Sequence, residues 1–215
     1  MKEFKIISLG DSGVGKSSIF RRYTENKFDE DTMSTIGLAF ADKELTLQNK
    51  EKVKLKLVDT GGQERYKSLA KNYYKNADGV IFVFAHNDKE SFDHIIYWIE
   101  LFDQNTTNKE IPKFLIGNKN DLKKFDEQES FDDFIQQHKI LRYISTSAKD
   151  NKKNNISEIF KDMSEIINKN YKTSDKQYKL GKDDKDKNKN EKKKKSNKTI
   201  NQCCGPDHMN DVLNQ

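Results

Sequence analysis

At 215 residues the chain has room for one compact domain and a tail, since single domains usually run to roughly 100–200 residues. It is 33% hydrophobic and 35% charged, low and high values for a globular protein, and the apolar deficit lies beyond Tyr171. Residues 172–202 hold twelve Lys against five acidic residues, and 203–215 add only Asp207 and Asp211, so the whole-chain charge of +5 leaves the first 171 residues neutral. A neutral folded part gives no electrostatic reason to expect a nucleic-acid surface. The only cysteines, Cys203 and Cys204, are adjacent; a disulfide scaffold or structural zinc site needs more thiols at wider spacing. Met1–Lys5 is charged, and no run approaches the ~20 apolar residues of a membrane span. A cytosolic chain is expected.

In chain order, Phe4–Leu9 reads as a β-branched, apolar strand that ends at Gly10. Ser17–Tyr23 reads as a short helix. Leu38–Leu47 and Val53–Val58 alternate as strands do, with Gln48–Glu51 suited to the hairpin turn between them. Val80–Phe84 is a continuous apolar run, as in a strand buried on both faces. Phe92, Ile95, Ile96, Ile99 and Phe102 keep three- and four-residue spacings and predict one helix. Phe114–Ile116 is a further buried strand, Ser130–His138 a helix and Tyr143–Ile144 a last short strand. Ile156, Ile159, Phe160, Met163, Ile166 and Ile167 form the stripe of a final helix. Strands alternating with helices imply a six-stranded, mostly parallel sheet covered on both faces, with the hairpin adding one antiparallel edge. Residues 172–215 form a Lys/Asn-rich tail that cannot bury enough apolar surface to offset ordering entropy, so disorder is expected there.

The chemistry-bearing segment between the first strand and first helix is Gly10-Asp11-Ser12-Gly13-Val14-Gly15-Lys16-Ser17. Its glycines let successive backbone N–H groups turn inward onto phosphate oxygens, and the following helix N-terminus adds partial positive charge. Lys16 supplies a point charge to the β- and γ-phosphates, and the Ser17 hydroxyl suits Mg²⁺. This string alone does not choose between ATP and GTP.

Asn118-Lys119-Asn120-Asp121, after a buried strand, makes the choice. Here the chain resembles the Ras superfamily of small GTPases, whose N-K-x-D motif reads guanine. The resemblance implies a single P-loop domain over 1–171 that cycles between GTP and GDP with Mg²⁺. It implies that Asp121 accepts from the guanine ring N1–H and exocyclic amine, that Lys119 packs on the base beside Asn118, and that Phe28 packs edge-on. Ser147-Ala148-Lys149 resembles the S-A-K segment, whose Ala148 amide would meet the guanine oxygen. Ser12, Gly13, Val14, Gly15, Lys16, Ser17 and Ser18 would hold the phosphates. Ser34-Thr35-Ile36-Gly37 resembles switch I, with Thr35 on Mg²⁺. Asp59-Thr60-Gly61-Gly62-Gln63-Glu64 resembles switch II, with Asp59 on Mg²⁺ through water, Gly62 on the γ-phosphate and Gln63 orienting the attacking water. No arginine occupies a motif position that reaches the γ-phosphate, so hydrolysis is expected to be slow and stimulated by an activating protein.

Within the superfamily the Rab branch fits Ser34–Gly37, Gln63-Glu64-Arg65-Tyr66, Asn72-Tyr73-Tyr74 and Glu90-Ser91-Phe92. The implied partners of this monomer are an exchange factor, an activating protein, effectors and a GDP-dissociation inhibitor. They would read Thr32–Phe40 and Asp59–Tyr74. Three departures touch those surfaces: Val58 stands where the family has Trp, Gly61 where it has Ala, and Ala39 where it has Asp. Gly61 is expected to free the backbone of switch II.

The tail leaves alternatives open. Cys203 and Cys204 resemble paired prenylation cysteines, yet Gly205–Gln215 follow them; they are otherwise inert thiols, or metal ligands with His208. Lys192–Lys195 is a solvated linker, an element attracted to anionic lipid, or a nuclear-localisation run. The leading expectation is a switch in vesicle traffic, peripherally bound to the cytosolic face of an intracellular membrane if lipidated. The rivals are a soluble Ras- or Ran-like signalling GTPase, a GTP-binding scaffold without turnover, and a P-loop ATPase or nucleotide kinase.

Overall fold

Apolar residues of period two and of period 3.6 alternate along the chain, and the computed structural model converts them into strands and helices in that order. Residues 1–30, 35, 37–61, 73–108, 110–123, 125, 131–150 and 155–171 are described. The expectations placed on Thr32, Ser34, Ile36, Gly62, Gln63, Asn72, Ser130, Lys192–Lys195, Cys203, Cys204 and the tail from 172 onward lie outside them. The elements are β1 (Lys2–Leu9), α1 (Lys16–Glu25), β2 (Leu38–Thr46), β3 (Lys52–Thr60) and β4 (Gly79–Ala85). They continue with α2 (Lys89–Asp93), α3 (Ile95–Asn105), β5 (Lys113–Asn118), α4 (Phe131–Gln137), β6 (Arg142–Ser145) and α5 (156–171). Met1–Asn168 forms one compact unit; Lys169–Gln215 groups apart, and only its residues 169–171, the end of α5, are described.

The strands form one six-stranded sheet, ordered β2-β3-β1-β4-β5-β6. β2 and β3 pair antiparallel through the expected hairpin, and the other neighbours pair parallel. Successive strand side chains point to opposite faces, and the burial follows that rule. Phe4, Ile6, Ile81, Val83, Phe114 and Ile116 pack with α1 and α5 on one face. Ile7, Leu9, Val80, Phe82, Phe84 and Leu115 pack with α3 on the other. The apolar run of β4 is thus two interleaved sets, each buried under its own layer of helices.

The single helix expected through Phe92–Phe102 is divided. α2 and α3 meet at His94, although the four-residue hydrogen bonds run on across it, His94 N–H to Glu90 O at 3.0 Å and Trp98 N–H to His94 O at 3.3 Å. The interruption is a local distortion at a residue whose ring is held from outside the helix, by the phosphate loop. β3 is longer than expected and carries Asp59 and Thr60 at its end. Asp59 is therefore positioned by strand pairing, opposite Ser8 of β1 and Ala39 of β2.

Candidate functional site

In a parallel sheet with helices on both faces, the carboxyl ends of the strands collect the loops that carry ligands. Here the loops after β1, β5 and β6 border one cavity of about 440 Å³. Ser12, Gly13 and Gly15–Ser18 line its phosphate-loop end, and Phe28 and Thr35 line its side. Asn118, Lys119 and Asp121 come from the β5 loop, Ser147, Ala148 and Lys149 from the β6 loop. Most of the sequence-expected residues among those described line this one place; Asp59 stands behind it, bonded to Ser17 and Thr35. The Val14 side chain is buried in the core with α1, and its carbonyl accepts from Asn118 Nδ2 at 2.8 Å. Gly62 and Gln63 lie outside the described residues.

Gly15 N-caps α1 with φ 95° and no side-chain cap, so the first-turn amides of α1 remain open to an anion. Glycine is required there twice over: the left-handed backbone disfavours a side chain, and a Cβ would lie 2.2 Å from Asn118 Nδ2. Lys16 is buried, its ammonium folded onto the carbonyls of Gly10 (2.9 Å) and Asp11 (2.7 Å). Burial pushes its pKa down to about 8, against the opposing pull of Asp59 and Asp11. A polyphosphate would supply the negative charge that this desolvated cation lacks.

Three oxygen-bearing side chains meet beside Lys16. Ser17 Oγ and Thr35 Oγ1 are 2.6 Å apart. Ser17 donates to Asp59 Oδ2, Thr35 donates to the same oxygen at 3.3 Å, and Ser8 donates to Asp59 Oδ1 at 3.2 Å. Burial raises the Asp59 carboxyl pKa, with the hydrogen bond from Ser17 and the Lys16 charge opposing the rise. Two hydroxyls and a carboxylate make a hard-oxygen set, which fits Mg²⁺ and not a thiolate- or imidazole-preferring metal. Among the described residues no cluster of three His, Cys, Asp or Glu side chains is placed to hold a metal, so these mixed donors are the candidates.

At the other end, Lys119 adopts a left-handed backbone with φ 61°, and Asn120 N–H donates to Thr146 O at 3.1 Å. That bond docks the β5 loop on the β6 loop. Ser147 Oγ donates to Asp121 Oδ1 at 2.6 Å and accepts the amides of Lys149 and Asp150. The Asp121 carboxylate is therefore oriented before any base arrives. The Ala148 amide donates to Asn118 Oδ1 at 3.1 Å.

Several contributions were not foreseen. Glu30 lines the cavity and pairs with Lys149 across its rim. Asp11 in the phosphate loop accepts from Trp98 Nε1 at 2.7 Å and pairs with His94 Nδ1 at 2.6 Å, joining the loop to the α2–α3 junction. Gly61 donates its N–H to Gly37 O at 2.8 Å, and a Cβ there would lie 2.6 Å from Thr35 O. The sequence pattern suggested backbone freedom at Gly61; its use here is a close approach of two backbones. Arg22, a cation in the buried stripe of α1, is the one departure from amphipathic pattern that could have been noticed in advance.

The His94–Asp11 pair makes stability pH-dependent with a definite sign. The hydrogen bond and charge of Asp11, helped by Glu90 and Asp93, raise the His94 pKa above its ordinary 6.5. The folded chain thus holds this proton more tightly than the unfolded one, and the contribution is complete below pH 6.5 and lost as pH rises through the folded value. The urea midpoint difference between wild type and His94→Gln should be larger at pH 6 than at pH 8.5, and smaller in high salt because the ring is half exposed. An equal difference at both pH values would remove the titration from the account.

The model of the Ras family matches residues 5–169. The chain is 39% identical over 165 residues to Ras-related protein Rab-11B of Dictyostelium discoideum, covering 76% of this chain and 73% of that one. Over 166 residues it is 36% identical to the GTP-binding protein ypt1 of Schizosaccharomyces pombe, 76% and 79% of the two chains. A 45% identity to Ras-related protein Rab-1 of Theileria annulata spans 120 residues, 55% and 54% of the two. With the family model spanning all six strands but the first three residues of β1, and every loop of the cavity, the chain belongs to the Ras family of small GTPases, on its Rab-like branch.

Proposed function

We propose that this protein holds GTP or GDP with Mg²⁺ in the cavity, hydrolyses GTP slowly, and serves as a switch in intracellular vesicle traffic. The observation that carries the reading is one cavity with two chemically distinct ends. Lys16, Ser17, Thr35 and Asp59 supply cation, hydroxyls and carboxylate at one end, and Asp121, held by Ser147, faces the other. In this reading Lys16 and the open amides of α1 neutralise the β- and γ-phosphates. Ser17, Thr35 and Asp59 would hold Mg²⁺, which would supply positive charge beside the β- and γ-phosphate oxygens. Asp121 pairs with the guanine edge, the Ala148 amide, which Asn118 Oδ1 accepts at 3.1 Å in the chain alone, is shared with the guanine oxygen, and Phe28 and Lys119 flank the base. Gln63 orients the attacking water and the Gly62 amide meets the γ-phosphate. Loss of that phosphate releases Thr35 and Gly62, so effectors reading Thr32–Phe40 and Asp59–Tyr74 dissociate. An exchange factor and an activating protein drive the cycle, with a GDP-dissociation inhibitor as a further partner.

Single-turnover assays on the purified chain test this. Unaided hydrolysis is expected on the order of 10⁻⁴–10⁻³ s⁻¹, and Gln63→Leu should slow it at least tenfold while GDP stays bound. Turnover faster than about 1 s⁻¹, or a preference for ATP, would sink the reading.

Gly61→Ala tests the close approach at switch I. Relief of the 2.6 Å contact with Thr35 O requires the Thr35 or the Gly61 backbone to shift; either shift disturbs the end of β3 or switch I beside the oxygen cluster, so more Mg²⁺ should be needed to retain bound GTP, by several-fold. An unchanged Mg²⁺ titration would show that the two backbones do not need that proximity.

Membrane attachment through the basic tail and prenylated Cys203 and Cys204 completes the proposal. Among the described residues no helix is long and apolar enough to cross a membrane. Intact mass of the natively expressed protein should exceed the polypeptide mass by isoprenoid groups, and Cys203→Ser/Cys204→Ser should abolish the increment. An unmodified wild-type mass would favour a soluble Ras- or Ran-like switch.

A further inference from the structure

The side chain of Arg22 is almost wholly buried, 8% exposed, on α1. Among the described residues no carboxylate pairs with it. Its donors go to backbone oxygens in two different segments. Nε donates to Ala148 O at 2.8 Å and Nη2 to Lys149 O at 3.4 Å, both in the loop after β6. Nη1 donates to Asn26 O at 2.9 Å, with Asn26 Oδ1 at 3.5 Å. Asn26 is the left-handed C-cap of α1, φ 55°, its N–H returned to Arg22 O at 3.0 Å. Two residues further on stands Phe28, on the cavity wall.

One planar guanidinium therefore fastens both sides of the cavity's base end: the segment leading to Phe28, and the Ala148–Lys149 backbone. We propose that Arg22 is a positioning residue for nucleotide selection, a strut that sets the width of the slot between Phe28 and Ala148–Lys149. The proposal rests on the guanine-nucleotide reading of this cavity and adds a residue that touches neither base nor phosphate. Its chemistry suits the task. The guanidinium fork presents several donors in one plane at fixed angles, so it can hold two segments at a set separation, whereas a lysine ammonium is a single point on a flexible stem. A cation at the last turn of α1 also complements the helix dipole. The Ala148 peptide is gripped on both sides, its carbonyl by Arg22 and its amide by Asn118 Oδ1 at 3.1 Å. That leaves the loop little freedom to tilt away from a base.

A strut of this kind acts at the base end, and its bonds to Asn26, Ala148 and Lys149 touch none of the phosphate-loop groups. Competition binding with GDP and with ADP on the full chain in Mg²⁺ separates the two. Arg22→Met should lower GDP affinity at least tenfold and leave ADP affinity, to which the guanine-edge contacts of Asp121 and Ala148 contribute nothing, within twofold. Arg22→Lys keeps the charge and the stem but not the fork. It should show the same loss of GDP-over-ADP selectivity, and it carries the test if the Met variant does not fold. Equal losses for GDP and ADP in the folded variant would make Arg22 a support of the domain and overturn the proposal, as would unchanged GDP affinity. A wild-type chain without preference for GDP over ADP would instead overturn the guanine reading beneath it.

Discussion

The Asn118 side chain lies 2% exposed at the end of β5, with Nδ2 on Val14 O at 2.8 Å and Oδ1 on the Ala148 amide at 3.1 Å. Through that one carboxamide the loops after β1, β5 and β6 share a fixed separation. The rest of the site inherits it. Gly15 has to be glycine because a side chain would occupy the space of this amide. Val14 presents its carbonyl inward while its side chain joins the core. Asparagine offers a donor and an acceptor on one rigid plane, and both are satisfied by backbone. Aspartate in its place would put an acceptor against the Val14 carbonyl, leaving two buried oxygens facing each other.

The phosphate end is built on groups that burial drives toward neutrality. Lys16 is pushed down to about 8 and the Asp59 carboxyl is pushed up, each by desolvation, and each opposed by the charge of the other. A buried cation and a buried carboxylate so placed are stable only through partners. In the chain alone those partners are the carbonyls of Gly10 and Asp11 for Lys16, and three hydroxyls for Asp59. Polyphosphate and a divalent cation would complete both sets with full opposite charges. Ligand binding and domain stability would then be coupled by mass action.

What was legible in the sequence was local. Gly10–Ser17, Asn118–Asp121 and Ser147–Lys149 announce themselves because a phosphate wrap or a base-edge contact needs fixed residue types at fixed short spacing. The sheet was legible because β4 and the Phe114–Ile116 centre of β5 are unbroken apolar runs while β2 alternates. What stayed hidden were contacts between residues far apart in the chain. Nothing near Asp11 indicates that its carboxylate reaches Trp98 and His94. Nothing in the three- and four-residue spacing through Phe92–Phe102 indicates a break at His94, the residue whose ring bonds to Asp11. The Glu30–Lys149 pair and the two-sided grip of Arg22 are hidden for the same reason. A strand extended by two residues moved Asp59 from a loop onto β3, since antiparallel pairing with β2 continues through Thr60 opposite Leu38.

Two of the departures from the Rab pattern, Val58 and Ala39, fall on a different part of the molecule from the cavity, whereas Gly61 abuts the Thr35 carbonyl. Phe40 and Val58 are register partners on the β2–β3 edge, so their side chains rise on the same face of the sheet. Val58 is small enough to disappear into the core beneath α3, 1% exposed, whereas Phe40 is left 59% exposed. Its ring leans on Tyr73 at 5.3 Å, and the Lys5 ammonium sits 5.2 Å from the Tyr73 centroid. A larger side chain at 58 would have to emerge from the core and prop these rings outward. With valine the patch is two aromatic rings capped by a cation, flatter and more basic, and Ala39 beside it carries no carboxylate. None of Ala39, Phe40, Val58 and Tyr73 lines the cavity. Substitutions there alter the face read by partners while the oxygen cluster and the base slot are held by bonds they do not touch, so the hydrolytic chemistry and the choice of partner are free to vary separately in this fold.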